Sequence, residues 1–322
     1  MLDVTKESPA PDYAPVREEV KAIKEAETLS WEALGRESNV AASTLAAFVA
    51  GTYKGDNSRV AADLQRWLET RRQRERVTAE LPSPPAFLMT PTAHDIFSSL
   101  SFAQAAPDFA VLVGGAGIGK TTALDEYRKR GTNVWLLTAD PSIAKAANVL
   151  SILAEQLGVS ERRNAFIARA ISAHVRGKNG LVIVDDAQQL EAKAFDQLRT
   201  TILDLGGCGI AVFGNESMLT ALQGSADRRT QAYAQLHSRV GVRKVQHAAR
   251  AADICMVLEA WGITAPAVLQ VLKQIARKPG ALRIMNKVIR LAAFGAGCTV
   301  ASLTVAHIER AWAQLSSQTI ES

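Results

Sequence analysis

The sequence lacks the features that mark secreted, membrane-spanning and zinc-stabilised proteins. It has three cysteines in 322 residues, and since Cys208, Cys255 and Cys298 form no C-x-x-C pair, neither disulfides nor a structural zinc site is expected. No apolar run reaches the roughly 18 residues that a membrane span needs. The first residues lack the basic stretch and apolar core of a secretory signal. We therefore expect a cytoplasmic protein with reduced thiols and no membrane segment.

Positive charge is modest in total but concentrated in four stretches. The formal net charge is +5 at pH 7, and basic residues cluster at 71–76, 228–229, 239–244 and 283–290. Any single cluster could be a solvated face. Taken together, the clusters favour a polyanionic partner, with nucleic acid as the first choice.

The pattern of apolar residues predicts an α/β protein with helical regions at both ends. Unbroken apolar runs alternate with helical segments up to about residue 247, which predicts a parallel sheet with helices on both faces. Beyond Ala248 only helical patterns occur. The predicted organisation is a flexible leader (1–16), a helix-turn-helix DNA-binding domain (17–77), a Pro-rich linker (78–91), an α/β nucleotide-binding subdomain (92–247) and a C-terminal all-helical lid (248–316).

The helix-turn-helix is predicted from two short helical segments, 29–36 and 41–50, with Ser30 as an N-cap. The exposed positions of the second segment carry small side chains, which cannot read base edges through paired hydrogen bonds. Contact with DNA is therefore expected through phosphates and shape. The predicted DNA-binding residues of this region are Ser43, Thr44, Tyr53, Lys54 and Arg59. A small helical domain that binds protein is the alternative.

The most specific motif is the stretch 114–121, which fits the phosphate-loop pattern G-x-x-x-x-G-K-[ST] between an apolar strand and a helix. Its glycines allow backbone N–H groups to turn toward phosphates, and Lys120 adds charge beside the positive helix N-terminus. The Thr121 hydroxyl is expected on Mg²⁺. The predicted nucleotide-binding residues here are Gly114, Gly115, Ala116, Gly117, Ile118, Gly119, Lys120, Thr121 and Thr122. The alternative is a glycine-rich turn that binds nothing.

A pair of acids follows the apolar run 181–184. Asp185 is predicted to hold Mg²⁺ through water. Asp186 takes the position of the catalytic acid that orients or deprotonates the attacking water, where a Glu is usual. Because Asp is one methylene shorter, its carboxylate is expected to fall about 1 Å short, and a misplacement of that size costs on the order of a hundredfold in rate. We therefore expect an ATPase that uses ATP and Mg²⁺ and hydrolyses slowly.

Further candidates follow in the chain. Asn215 is predicted to hydrogen-bond the attacking water or the γ-phosphate, with a turn Asn as the alternative. Arg239 is predicted to reach the γ-phosphate of a neighbouring subunit, with a surface Arg as the alternative. Arg283 begins a helix after a Pro-Gly turn and is predicted to fold over the nucleotide. Lys287 and Arg290 share its helical face, so they would serve either lid closure or contact with DNA or a partner, and we group them with the predicted DNA-binding residues.

In this order, the motifs resemble the Walker A, Walker B, sensor 1, arginine finger and sensor 2 elements of an AAA+ ATPase. The stretches 53–60, 64–69, 79–85 and 278–284 further resemble the MuB family, the target-DNA-binding transposition proteins of phage Mu and related elements. The resemblance extends from about residue 16 to residue 315. Asp186 departs from the family pattern, which usually has Glu at this position.

The resemblance implies an ATP-dependent, largely sequence-nonspecific protein that binds double-stranded DNA and assembles into helical filaments on it. It implies that the protein captures target DNA, delivers it to a DDE-type transposase and stimulates strand transfer, inside a bacterial cell or the bacterial host of a phage or mobile element. Two other classes stay open. A helicase loader or replication initiator would bind a replicative helicase, and a nucleotide-gated regulator would give a discrete footprint on one DNA sequence.

Overall fold

In a computed structural model, residues 12–218 and 240–316 are described. The chain divides into two compact units, with the boundary between Leu81 and Pro82. Arg239 and the basic pair at 228–229 lie outside the described residues, so their roles stay predictions. Within the two described stretches, none of the helices combines the length and hydropathy needed to span a bilayer.

The described part of the first unit is helical. Its helices are α1 (Ala14–Ala26), α2 (Trp31–Ser38), α3 (Ala42–Val49) and α4 (Asn57–Glu80). Their apolar faces meet in one core, whose fully buried members are Val20, Leu34, Leu45, Phe48 and Leu64. Burial of such side chains is the main stabilisation available to short helices like α2 and α3.

A tight turn joins α2 to α3. The Ser30 hydroxyl accepts a hydrogen bond from the Ala33 N–H (3.1 Å), which confirms the predicted N-cap. Asn39 follows α2 with a φ of 56°, a left-handed conformation that Asn adopts more readily than most residues. Gly35 permits close packing here, because a Cβ at this position would lie 2.8 Å from the Val40 carbonyl oxygen. Two helices joined by a turn are present at the predicted place, whereas a helix-turn-helix domain that binds DNA stays a prediction.

The arginines of α4 are paired with acidic side chains of the same unit. The ion pairs are Arg71 with Glu27, Glu37 and Glu75, Arg72 with Glu19, and Arg74 with Glu37. The Arg71 side chain is only 8% exposed, so its charge is directed into the unit and not toward solvent. The cluster at 71–76 therefore gives less support to a polyanionic partner than its sequence suggests.

The second unit is built on a parallel sheet. Its strands are β1 (Phe109–Gly114), β2 (Val134–Thr138), β3 (Leu181–Asp185), β4 (Gly209–Gly214) and β5 (Val240–Gln246). They lie in the order β2-β3-β4-β1-β5, and every neighbouring pair is parallel. β1, β3 and β4 are buried along their whole length. This burial explains why their sequences are continuously apolar.

Helices cover both faces of this sheet. Along β1, Val111 belongs to one core and Leu112 to the other, because successive side chains of a strand point to opposite faces. The helices are α5 (Pro91–Ala105), α6 (Lys120–Arg130), α7 (Ala146–Gln156), α8 (Asn164–Val175) and α9 (Ala192–Leu198), with a π-helix at Arg199–Asp204 and short 3-10 helices at Pro141–Ile143 and Ala187–Gln189. Another 3-10 helix, Val300–Ser302, lies farther along the chain in the C-terminal helical region. The predicted α/β class, with helices on both faces of a parallel sheet, is confirmed.

A helical subdomain follows the last described strand, and we call it the lid. Its helices are α10 (Ala251–Ala260), α11 (Pro266–Ala276), α12 (Ala281–Ala296) and α13 (Val305–Ser316). Between residues 251 and 316, a range described in full, there is no strand. The lid has a core of its own around Leu272, Met285 and Ile289. Asp253 of α10 is fully buried and accepts hydrogen bonds from the N–H (3.1 Å) and the hydroxyl of Thr92, which attaches the lid to the start of α5.

The predicted Pro-rich linker differs from the structure at its first residues. α4 continues to Glu80, so residues 78–80 are helical. Thr90 caps α5 by accepting a hydrogen bond from the Ala93 N–H (3.2 Å), and Pro91 is the first residue of α5, where a Pro is well tolerated. The Pro82 carbonyl accepts a hydrogen bond from Arg290 Nε of α12 (3.0 Å). From Pro82 onward this stretch is therefore part of the second unit and does not behave as a separate spacer.

Candidate nucleotide-binding site

The phosphate loop runs from the buried end of β1 into the first turn of α6. Gly117 and Gly119 have φ values of 78° and 100°, which residues with a side chain rarely adopt. α6 begins at Lys120, so the unpaired N–H groups of its first turn lie at the loop. Together with the helix dipole, these groups make the loop suitable for an anion.

Two of the glycines are also required by neighbouring backbone. A Cβ at Gly115 would lie 2.0 Å from the His247 carbonyl oxygen, just after β5. A Cβ at Gly117 would lie 2.0 Å from the Gly280 carbonyl oxygen, in the turn that precedes α12. The loop is therefore in direct contact with the sheet edge on one side and with the lid on the other. The motif alone does not reveal these contacts.

The Lys120 side chain reaches back along the loop. Its Nζ donates hydrogen bonds to the carbonyl oxygens of Gly114 (2.7 Å) and Gly115 (2.9 Å). Burial lowers the pKa of this ammonium below its usual value, and the carboxylate of Asp185 partly offsets the effect. A partly desolvated ammonium that touches only neutral carbonyls gains strongly from an added anion. This geometry suits Lys120 to the binding of a phosphate group.

Thr121 and Asp185 converge on one point beside the loop. The Thr121 hydroxyl donates to Asp185 Oδ2 at 2.7 Å. Asp185 is 2% exposed, and burial raises the pKa of its carboxyl group, although the Thr121 hydrogen bond opposes the shift. In the described parts of the chain, no group of three or more His, Cys, Asp or Glu could hold a metal. One hydroxyl and one carboxylate fit Mg²⁺, which takes few protein ligands and completes its shell with phosphate and water.

Asp186 extends from the end of β3 into the cavity beside the loop. It has a φ of 53°, again a left-handed conformation that Asp tolerates. Its Oδ1 accepts a hydrogen bond from Gln188 Nε2 (3.2 Å). The predicted catalytic acid therefore faces the same space as Lys120 and Thr121, and a neighbouring amide holds it.

Asn215 is a turn residue at the cavity, and its contact with the attacking water or the γ-phosphate stays a prediction. It lines the same cavity. Its Oδ1 also accepts hydrogen bonds from the N–H (3.0 Å) and the hydroxyl (2.5 Å) of Ser217, as a turn Asn does. Only its Nδ2 has no hydrogen-bond partner among the described residues. That nitrogen is a donor and suits an oxygen of water or phosphate.

These residues line a cavity of about 620 Å³. The loop residues 116–122 belong to its lining, whereas Gly114 and Gly115, which we also predicted to bind nucleotide, do not. The lining also has an apolar part, which comes from the stretch 84–88, from Val257 of α10 and from Leu282 of α12, and we call it the apolar wall. A cavity lined by both cationic and apolar side chains fits a molecule that carries phosphates and a flat ring.

The lid adds three cations to this cavity. Arg283, Lys287 and Arg290 of α12 all line it, and Arg290 also holds the Pro82 carbonyl. Arg283 lies against the phosphate loop, because a Cβ at Gly117 would lie 3.1 Å from the Arg283 Cβ, and its contact with the nucleotide stays a prediction. Lys287 is exposed and Arg290 is half-buried. Their place on the cavity wall is compatible with nucleotide binding, and contact of these two residues with DNA stays a prediction.

The comparison with known proteins agrees with this architecture. Residues 104–222 match the family model of an AAA domain, and residues 238–315 match that of the Mu B transposition protein, C terminal. The ATP-dependent target DNA activator B of Escherichia phage Mu is 37% identical over 283 residues, which cover 87% of this chain and 88% of that protein. The chain belongs to the Mu B transposition protein family.

A second relative extends this result to a bacterial prophage. The Mu-like prophage FluMu DNA transposition protein B of Haemophilus influenzae is 36% identical over 257 residues, which cover 79% of this chain and 88% of that protein. The AAA domain match spans β1 to β4 and includes the phosphate loop and the acid pair. This member of the Mu B family is therefore an ATPase of the AAA class, as predicted.

Five of the predicted DNA-binding residues of this Mu B family member lie in the first unit. Ser43, Lys54 and Arg59 are exposed, whereas Thr44 is half-buried. Tyr53 packs against the core of the unit, so its ring is less available to a ligand than its sequence suggests. The structure brings these five residues to α3, the following loop and the first turn of α4.

Sequence reasoning missed Gln188 and the apolar wall at 84–88. Gln188 carries no motif signal, because a Gln after two acids is an ordinary residue of a short turn. The wall lies in a stretch that we predicted to be a spacer, and only its contacts with the lid reveal its place at the cavity. The pairing of Thr121 with Asp185, by contrast, follows directly from the two motifs.

Proposed function

We propose that this protein is an ATP-dependent, sequence-nonspecific DNA-binding ATPase that assembles on target DNA and delivers it to a DDE-type transposase. The observation that carries the proposal is that Lys120, Thr121 and Asp185 line one cavity beside the phosphate loop. It occurs in a chain whose relatives are named ATP-dependent target DNA activator B. In this proposal the bound nucleotide switches the protein between states with high and low affinity for DNA.

The residues around the phosphate loop bind the phosphates of ATP and orient them. Lys120 exchanges the carbonyls of Gly114 and Gly115 for phosphate oxygens, while the N–H groups of the loop hold the remaining phosphate charge. Thr121 and Asp185 would hold Mg²⁺, Asp185 through water. The ion, when bound, neutralises charge that develops on the phosphate oxygens.

Hydrolysis is assigned to the polar groups next to this site. Asp186 orients the attacking water and accepts its proton, and Asn215 donates from Nδ2 to the water or to the γ-phosphate. Because the Asp carboxylate is one methylene shorter than that of Glu, turnover is slow. Arg239, which lies outside the described residues, is proposed to complete the site of a neighbouring subunit in an ATP-dependent filament.

The lid is proposed to change position with the bound nucleotide and to pass that change to the rest of the molecule. Arg283 meets the phosphates, and Lys287 and Arg290 line the path toward the apolar wall, where the base would lie. Because Gly280 touches Gly117, a change at the loop moves the start of α12 directly. In a filament, weak contacts between phosphates of DNA and residues such as Lys54 and Arg59 of many subunits add up to tight binding.

The test is fluorescence anisotropy of a random-sequence duplex titrated with the protein in Mg-ATP, in Mg-ADP and without nucleotide. Wild-type protein should bind tightly and cooperatively only with ATP, and Lys120→Ala should lose this dependence, since the ammonium is the loop's main charge for phosphate. Lys129→Ala is the matched control, because Lys129 is exposed on the same helix and lies outside the cavity.

The same experiment separates the competing functions. If the affinity for the duplex were the same with ATP, with ADP and without nucleotide, the proposal of an ATP-gated DNA activator would be contradicted. A discrete footprint on one sequence would identify a regulator instead, and co-purification with a replicative helicase in place of a transposase would identify a loader. Unchanged assembly and ATPase activity in Arg239→Ala would contradict its role at the subunit boundary.

A further inference from the structure

Gln188 links the ends of two neighbouring strands at the phosphate end of the cavity. It lies in the 3-10 helix Ala187–Gln189 that follows the acid pair of β3. Its Oε1 accepts a hydrogen bond from the main-chain N–H of Asn215 (3.1 Å), just after β4. Its Nε2 donates to Asp186 Oδ1 (3.2 Å). One side chain therefore contacts both residues to which hydrolysis is assigned.

The two ends of this amide cannot be exchanged. The Asn215 N–H is a donor and needs an acceptor, whereas the Asp186 carboxylate is an acceptor and needs a donor. Turning the amide over would set two donors against each other at one end and two acceptors at the other. The network thus selects one orientation of Gln188, and that orientation presents its NH₂ group to Asp186.

The backbone leaves room for this contact. Gly214 ends β4, and a Cβ at that position would lie 2.8 Å from Gln188 Oε1. A larger residue at position 214 would therefore push the amide away from Asn215. Gly214 at the end of β4 therefore helps to position the Gln188 side chain, because it has no side chain of its own.

Asp186 needs such a partner. Its carboxylate is exposed to the cavity, and in the described part of the chain Gln188 is the only group that donates a hydrogen bond to it. An unrestrained carboxylate would sample several rotamers, whereas general base catalysis depends on one well-defined position.

We propose that Gln188 is a positioning residue, which holds the Asp186 carboxylate toward the attacking water and couples it to Asn215 at the end of β4. This inference rests on the proposed hydrolytic role of Asp186. Gln188 does not itself touch the reacting atoms. It restricts a carboxylate that is shorter than usual to the orientation in which it can reach the water.

The experiment compares Gln188→Met with Gln189→Met in the full-length protein, measured as DNA-stimulated ATP hydrolysis. Methionine keeps the approximate length and volume of glutamine but removes both hydrogen bonds. Gln189 is exposed, belongs to the same turn and does not line the cavity, so it is the matched control. Binding of a fluorescent ATP analogue and the melting temperature are measured for each variant.

We expect Gln188→Met to lower kcat about tenfold while KM and analogue affinity stay within about twofold, because misplacing a reacting group slows chemistry more than binding. Gln189→Met should behave like wild type. In an Asp186→Asn background, Gln188→Met should have no further effect, since its action passes through that carboxylate. If Gln188 had a purely structural role, Gln188→Met would lower stability or analogue binding, and its effect would add to that of Asp186→Asn.

The outcomes separate this inference from the function on which it rests. If Asp186→Asn loses hydrolysis and Gln188→Met does not, Asp186 keeps its role and the inference about Gln188 is wrong. If Asp186→Asn hydrolyses ATP at the wild-type rate, the catalytic assignment fails and the inference fails with it. Full additivity of the two substitutions would likewise overturn the positioning role.

Discussion

The arginines of α4 and the cations of α12 look alike in the sequence but differ in the structure. Both sets are basic residues spaced along one helix. In α4, Arg71, Arg72 and Arg74 all pair with carboxylates of the same unit. In α12, Arg283, Lys287 and Arg290 line a cavity, and among the described residues none of the three has a carboxylate partner. The fold pairs the α4 arginines with carboxylates, whereas the positive charge of the α12 residues stays available to a ligand.

The difference shows what a basic cluster can and cannot indicate. A run of arginines adds to the net charge wherever it lies, but the local field depends on the acids that surround it. The α4 arginines stabilise a helical unit by holding its helices together, and the α12 cations create a field in which an anion is stable. Four substitutions test this division, and we give them from the largest expected effect to the smallest.

Arg283→Ala should have the largest effect, a roughly 10- to 100-fold loss of affinity for ATP, because Arg283 lies against the phosphate loop and its substitution removes a charge-assisted hydrogen bond to a phosphate. The measurement is a titration with a fluorescent ATP analogue. Arg277→Ala is the control, since Arg277 is exposed on the lid and does not line the cavity. Equal affinities of the two variants would remove Arg283 from the nucleotide site.

Arg71→Met should reduce the stability of the first unit by about 2 kcal/mol, because it leaves three partly exposed carboxylates close together without their shared cation. Thermal unfolding followed by circular dichroism measures the change. Affinity for ATP should stay the same, in contrast to Arg283→Ala. Arg76→Met is the control, because Arg76 is exposed on the same helix and has no ion pair among the described residues. If the two melting curves coincide, Arg71 does not stabilise the unit.

Lys287→Ala should weaken ATP binding about threefold, since this lysine lies on the cavity wall but is largely exposed to solvent. At saturating ATP, affinity for a random-sequence duplex should equal that of the wild type. This pair of measurements distinguishes a nucleotide contact from the DNA contact that the sequence suggested. Loss of DNA affinity at saturating ATP, with unchanged nucleotide affinity, would reverse the assignment.

Arg72→Ala should have the smallest effect of the four. Its pair with Glu19 lies at the surface, where solvent screens the interaction and the side chains lose entropy to form it. The melting temperature should therefore change much less than in Arg71→Met. A loss as large as that of Arg71→Met would mean that exposure is a poor guide to the strength of these ion pairs.

Much of the fold and part of the site could be predicted because they depend on local patterns. The apolar runs of β1, β3 and β4 predicted buried parallel strands, and Ser30 was recognisable as an N-cap since a cap acts within three residues of itself. The phosphate loop and Asp185 were predicted in the same way. Each follows a strand of the same sheet, and the carboxyl ends of parallel strands meet at one edge.

The partners of side chains could not be predicted, because contacts between distant residues decide them. Arg290 donates to a carbonyl that lies 208 residues earlier in the chain, and Arg71 meets a glutamate 44 residues away. A helical period shows which side chains share a face, but it does not show what that face meets. For this reason the sequence could place Lys287 and Arg290 on one helical face but could not show that they line the cavity.

By itself the sequence determined the order of the strands and helices, the phosphate loop and the acids beside it, since backbone preference and apolar periodicity act over a few residues. Only the tertiary structure decided which cations stay available for a ligand, which stretch forms the apolar wall, and that Gln188 bridges Asp186 and Asn215. The physical reason is that a charge or an amide acquires its role from its nearest polar neighbours. Those neighbours come together only when helices and strands that are far apart in the chain pack against one another.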